Sequence, residues 1–205
     1  MNSTDKILTK EQILGNWKKF LKYLENWSDS RKDAIYNFYQ TNDTSACTLP
    51  YYFINTEKGS NIGDFVRFKL SLIKDLIHLF DKLKEPEWKT EYEKYIFNSV
   101  LFVVFTYDIG KINSEGYEMY VPDEMNKGSF KYNEDLRYMR YNERSIFLLN
   151  NMSVHMSEEE MITILNSDFV FNCGYAFKKN CIHKAENNIF RIFNVCLLNT
   201  YIKFI

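Results

Sequence analysis

The sequence predicts a mainly α fold with one short β-hairpin or long loop excursion around residues 112–135, and three observations predict it. Apolar residues recur at intervals of three and four over most of the chain, the spacing that lines one face of a helix. Helix-starting signatures stand ahead of such runs: Thr9 before the first, and Ser157 followed by Glu160 before a late one. Only 7 Gly and 3 Pro interrupt 205 residues, and no internal repeat is visible. A chain of this length can bury one substantial core, so the expected organisation is a single domain over 1–205. Within it, N-terminal helices and a loop occupy 1–60, a core 61–168 and a C-terminal helix 169–205.

Behind Thr9, residues Ile13, Leu14, Trp17, Phe20, Leu21 and Leu24 form the apolar face of a first helix, with lysines opposite. A second short helix is expected over 30–39, and residues 41–59, with Pro50 and several small polar side chains, read as a loop. A long helix over 62–83 turns Phe65, Phe68, Leu72, Leu76, Leu79, Phe80 and Leu83 inward, and Lys84-Glu85-Pro86 stops it. Another helix runs over 89–109. Its second half, Ser99 through Phe105, is apolar all round and belongs at the centre of the fold. The polar stretch 112–135 is the excursion, with a hairpin around Tyr117 to Asp123. Helices resume over 136–150 and 158–166, and a final amphipathic helix over 184–203 uses Ile189, Phe190, Ile192, Phe193, Cys196 and Leu197.

Composition excludes several classes. Aromatics reach 17%, which rules out a disordered or collagen-like chain, and no uncharged apolar run is long enough to span a membrane. Met1-Asn2-Ser3-Thr4-Asp5-Lys6 lacks a basic start followed by an apolar core, so a cytoplasmic location is expected, with reduced thiols at Cys47, Cys173, Cys181 and Cys196. Cys173, Cys181 and His183 lack a CxxC knuckle and a fourth ligand, so no metal is expected there. The net charge of −1 argues against a broadly basic surface for nucleic acid, though not against a local patch. Twenty Lys against 6 Arg, with 21 Asn and 4 Ala, point to an A/T-rich genome and make counts of Lys, Asn and Tyr weak guides to chemistry. No Ser-His-Asp or Cys-His arrangement, P-loop or Gly-x-Gly-x-x-Gly occurs.

Three segments carry a resemblance. Asn61-Ile62-Gly63-Asp64-Phe65-Val66-Arg67-Phe68-Lys69-Leu70-Ser71-Leu72 is similar to a Gly-Gly-Leu-x-x-His-Ser-Leu helix start, and Phe105-Thr106-Tyr107-Asp108-Ile109-Gly110-Lys111-Ile112 to a His-Asp-[Leu/Ile]-x-Lys segment. Arg140-Tyr141-Asn142-Glu143-Arg144-Ser145 stands in the place of Gly-His-Gly-Glu-Lys-Ser, followed by Ser157-Glu158-Glu159-Glu160-Met161-Ile162-Thr163-Ile164 in the place of Thr-Asp-Glu-Glu-Ala-x-Ala-Ile. In this order, over about 61–168, they resemble the HD-domain metal-dependent phosphohydrolases, particularly the compact versions common in phages. The resemblance implies an HD-domain-like helical bundle.

That family needs imidazole and carboxylate ligands converging on one or two divalent metals. At the matching positions this chain offers Phe68, Tyr107, Tyr141 and Ser167, and of the His-Asp doublet it retains only Asp108. A phenyl ring cannot coordinate a metal, and neutral tyrosine is a poor ligand for magnesium or manganese. The resemblance therefore implies a scaffold without its metal centre: no catalytic residue, no metal and no cofactor. Arg67, Lys111, Arg140 and Arg144 would rim the former substrate pocket, and three of the scarce arginines there point toward an anion. The same cations also read as a solvated charged face.

Tyr117, Tyr120, Tyr132, Tyr138 and Tyr141 are candidates for seating a protein partner, or are simply scattered half-buried tyrosines. The expected function is that of a catalytically inactive phage or mobile-element protein binding a host protein or nucleoprotein complex, a nucleotide or a nucleic-acid phosphate. Inhibition of a host defence complex would fit such a protein. No membrane partner is expected, and a homodimer stays open. The alternative is an active phosphohydrolase with an atypical ligand set around Asp108, drawing on Asp135, Asp168 or His155. A third reading is an oligomerising helical protein with no ligand.

Overall fold

The computed structural model describes residues 7–51, 61–82, 91–112, 119–125, 130–136, 139–168 and 188–204. Of these, 72% are helical, with a single two-stranded hairpin, so the mainly α class follows as the periodicity predicts. Among the described residues no helix is long and apolar enough to cross a membrane. By internal packing the chain forms two compact units, one of 1–71, 111–139 and 203–205, the other of 72–110 and 140–202.

The first unit opens with α1 (Lys10–Glu25), where Thr9 Oγ1 accepts from the Gln12 amide and the Gln12 side chain accepts from the Thr9 amide, a reciprocal cap. Trp17, Phe20 and Leu24 are its buried stripe. Leu14, expected inward, is 45% exposed. α2 (Lys32–Thr41) follows, and the stretch read as a loop contains a short helix, α3 (Asp43–Thr48). These three helices pack on one another, with Phe20 edge-on to Tyr39 at 4.8 Å between ring centres. Ahead of α2, Arg31 forks onto Asp29 with hydrogen bonds of 2.8 and 2.7 Å. Burial alone would raise the Asp29 carboxyl, but the Arg31 hydrogen bonds and charge outweigh it and hold the group below its ordinary range. Burial, and after it the Asp43 charge, push the Cys47 thiol up, which makes it a weak nucleophile.

α4 (Asp64–Lys82) starts against the end of α3, because the Gly63 and Phe65 amides donate to the Thr48 and Leu49 carbonyls. Gly63 has φ +85°, and a Cβ there would press on Ile13, so both conformation and space ask for glycine. The hairpin pairs β1 (Tyr120–Pro122) with β2 (Phe130–Tyr132), Tyr120 opposite Tyr132. Pro122, which has no N–H to donate, ends β1 opposite Phe130. Residues 113–118 and 126–129, and with them Tyr117, lie outside the described residues.

The second unit is built on α5 (Glu91–Thr106), whose residues from Ser99 to Thr106 are all buried, as the all-round apolar pattern predicts. It ends three residues earlier than expected, and a separate 3-10 turn, Ile109–Lys111, begins beyond it. α6 (Tyr141–Asn151) and α7 (Glu158–Leu165) pack together, and α5 packs on α7. Ser157 and Glu160 form the expected capping box on α7. α8 (Asn188–Phe204) buries Ile189, Phe190, Phe193, Cys196 and Leu197, while Thr200 donates to Asp75 at 2.7 Å.

Candidate functional site

In the second unit residues of the 107–111 segment and of the 140–145 segment meet. Gly110 N donates to Ser145 Oγ at 2.9 Å, and Ser145 Oγ lies 3.1 Å from the Tyr107 carbonyl and 2.8 Å from the Tyr141 carbonyl. A hydroxyl has one proton and two lone pairs, so this single buried group receives the amide and shares its one proton between the two carbonyls beside it, the nearer being that of Tyr141. Arg144 Nη1 donates to the Gly110 carbonyl at 3.2 Å. A Cβ at Gly110 would overlap the Tyr141 carbonyl oxygen. The backbones of 107–110 and 141–145 are thus held at a separation that only glycine permits.

Around this knot Tyr107 and Asp108 are fully buried, the Tyr107 ring edge-on to Phe193 at 5.2 Å. Tyr141 is half-buried at the first position of α6. Asn142 Nδ2 donates to the Leu165 carbonyl at 2.6 Å, which ties the end of α7, and with it the segment that follows, to the start of α6. Ser167 in that segment is fully buried and its Oγ has no hydrogen-bond partner among the described residues. Arg140, the residue before α6, is 73% exposed and 3.9 Å from Asp168. Glu143 Oε2 accepts from the Arg140 amide at 2.8 Å; arginine offers no acceptor in return, so only half of a capping box forms.

The other site residues lie in the first unit. Phe68 is fully buried and stacked on Tyr51, ring centres 3.7 Å apart and planes 12° from parallel. Lys111 is buried, with Nζ 4.2 Å from the centre of the Tyr51 ring and 3.2 Å from the Tyr51 carbonyl, to which it donates. Lys69, fully buried as well, sets its ammonium 5.1 Å from the Phe65 ring. Arg67 pairs with the buried Asp64 at 3.0 Å.

Of the four cations expected at a pocket mouth, Arg140 is the most exposed, Arg67 and Arg144 are half-buried and engaged, and Lys111 is inside. Arg140, just before α6, and Arg144, four residues on in that helix, belong to the second unit; Arg67 and Lys111 belong to the first. Tyr138 and the Cys173, Cys181, His183 group lie outside the described residues. The alternative ligands are dispersed: His155 is exposed before α7, Asp168 sits beside Arg140, and Asp135 is exposed in the first unit. Among the described residues no group of three or more His, Cys, Asp or Glu could hold a metal ion. Sequence reasoning passed over Tyr51 and quoted Lys69 only within a motif, giving it no role. It quoted Ser145 only within a motif, although a small hydroxyl four residues after Tyr141 can reach a backbone carbonyl one turn back.

Comparison with family models, with curated proteins and with solved structures matches none of them.

Proposed function

We propose that this chain is a catalytically inactive binding protein on an HD-like helical scaffold, encoded by a phage or mobile element, whose host protein partner presents an anionic group to Arg140 and Arg144. The observation that carries the reading is the Phe68 stack. A position where the resembled enzymes need an imidazole is filled by a buried phenyl ring lying flat on Tyr51. Tyr107, at a second such position, is spent on packing against Phe193. Aromatic contacts of this kind stabilise a core; a phenyl ring offers a divalent cation no lone pair, and a neutral tyrosine hydroxyl is a poor ligand for one. Recognition then falls to the surface, where the forked guanidinium of Arg140 can take a carboxylate or phosphate in two hydrogen bonds.

Two measurements test this together. The purified protein, assayed with manganese against phosphomonoesters, phosphodiesters and nucleotides, is expected to show no turnover. Stoichiometric metal with turnover abolished by Asp108→Asn would overturn the reading. Arg140→Glu breaks only an exposed pair worth less than about 1 kcal/mol, so the fold should survive it. It is expected to lose a host protein that the natural sequence captures, and undiminished capture of every host protein would refute the anionic contact.

A further inference from the structure

Of the three glycines among the described residues, the fold accounts for two: Gly63 by its positive φ and Gly110 by the backbone that a Cβ would strike. Gly15, inside α1, is helical and half-buried, and a Cβ there would meet nothing within 4 Å. Glycine inside a helix lowers its stability relative to alanine, because more backbone freedom is lost on folding. Its remaining use is to let another molecule come close to the backbone. The same face carries Lys18, Lys19 and Lys22, all exposed, opposite the buried Trp17, Phe20 and Leu24. Lys22 is four residues from Lys18 and three from Lys19, spacings at which like charges repel. The helix dipole favours Lys22 in the last turn, but not the two further in. The carboxylates of this unit's first helices are engaged elsewhere or set apart. Glu25 accepts from the Tyr36 hydroxyl at 2.9 Å, Asp29 is forked by Arg31, Asp33 is 3.9 Å from Lys32, Asp43 accepts from Thr44, and Glu11 lies in the first turn of α1. Among the described residues none of the three lysines is within ion-pairing distance of a carboxylate.

We propose that this face of α1 binds the phosphate backbone of duplex nucleic acid without reading its sequence. The phosphates neutralise three mutually repelling ammoniums, and Gly15 lets a strand approach the helix surface. Arg140 and Arg144, in the other unit, take no part. An ammonium is a point charge on a flexible stem, suited to phosphate rather than to the edge of a base. The chemistry of the face selects this polyanion over two others. A helix that lies on a membrane buries its apolar side in lipid, whereas Trp17, Phe20 and Leu24 are inside the fold. A single strand is held by exposed rings on which its bases stack, and the one ring beside these lysines, Tyr23, is half-buried. Three phosphate contacts release counterions in proportion, giving a slope of log K against log salt of about −2.7 and an affinity at the weak end of non-specific binding.

The test is fluorescence anisotropy of a labelled DNA duplex of about 20 base pairs, titrated with the full chain from about 20 mM to about 200 mM salt. Lys18→Gln, Lys19→Gln and Lys22→Gln change exposed residues and should keep the fold, which circular dichroism checks. Each is expected to flatten the salt slope by about 1, and the three together to weaken binding at least about tenfold at the lowest salt. Lys94→Gln, an exposed lysine of α5, is expected to leave the slope as it was. Gly15→Ala separates the two roles of that residue: it should raise the denaturant midpoint and yet weaken duplex binding, a combination that a purely structural glycine would not give. No binding of the duplex at the lowest salt, a slope that the three lysine variants do not change, or a slope that Lys94→Gln flattens equally would each overturn the proposal. So would tighter binding to the single strand alone or to phosphatidylserine vesicles, or Gly15→Ala binding as the natural sequence does.

Discussion

α5 and α8 are of nearly equal length, 16 and 17 residues, and both are rich in apolar side chains, yet they meet water differently. From Ser99 to Thr106 every residue of α5 is buried, whereas α8 buries one face and leaves Val195, Leu198 and Ile202 exposed. Apolar content alone therefore does not tell a central helix from a two-faced one. The difference lies in what surrounds each. α5 is packed on α7 and leads straight into the Gly110 turn locked by Ser145, while the outward face of α8 turns Val195, Leu198 and Ile202 to water. An apolar side chain contributes to stability in proportion to the area it removes from water, so the same residue type counts heavily on α5 and little on the outer face of α8.

Replacing a buried ring of α5 is the largest expected break in that contrast. Phe102 is fully buried, and Phe102→Ala should cost about 3–5 kcal/mol in denaturant unfolding, a large share of a typical domain's stability. An intermediate effect is expected where α5 hands over to the knot. Ser145→Ala strands the Gly110 amide in a buried place and should cost about 1–3 kcal/mol, whereas Ser145→Thr keeps the hydroxyl and should recover part of it. The smallest effect belongs to the outer face of α8. In dilute solution Leu198→Ala should shift unfolding by no more than about 0.5 kcal/mol, and a loss approaching that of Phe102→Ala would mean that this face is buried within the chain.

Where local chemistry decides, the sequence was a good guide. Thr9 caps its helix and Ser157 with Glu160 caps another as read, and the structure adds Gln12 as the reciprocal partner of Thr9, since a cap is settled by residues three apart. The all-round apolar half of α5 was legible for a similar reason: a helix with no polar face has no side to turn to water. Leu14 was misjudged because two faces share the three-and-four spacing, and the stripe that packs is that of Trp17, Phe20 and Leu24. α3 was missed because its six residues are small and polar, and packing on α1 and α2 supports it where propensity does not.

Of the candidate site, the sequence could set out the residues but not their surroundings. It marked Phe68 and Tyr107 as aromatics standing where a resembled enzyme needs histidine. That Phe68 lies on Tyr51, or Tyr107 against Phe193, depends on residues far away in the chain. Lys111 and Arg140 were read alike, as cations at a mouth. Only folding separates them, placing one ammonium over a buried ring and one guanidinium in water.

By itself the sequence determined the helical class, the capped starts and the central place of α5, all of which follow from contacts within a few residues or from the need to keep apolar surface from water. The tertiary structure alone decided which cations are buried, that Gly110 and Ser145 join two segments, and that α8 keeps a second apolar face exposed. Those outcomes depend on which distant groups come within hydrogen-bonding or van der Waals reach, and no spacing along the chain encodes that.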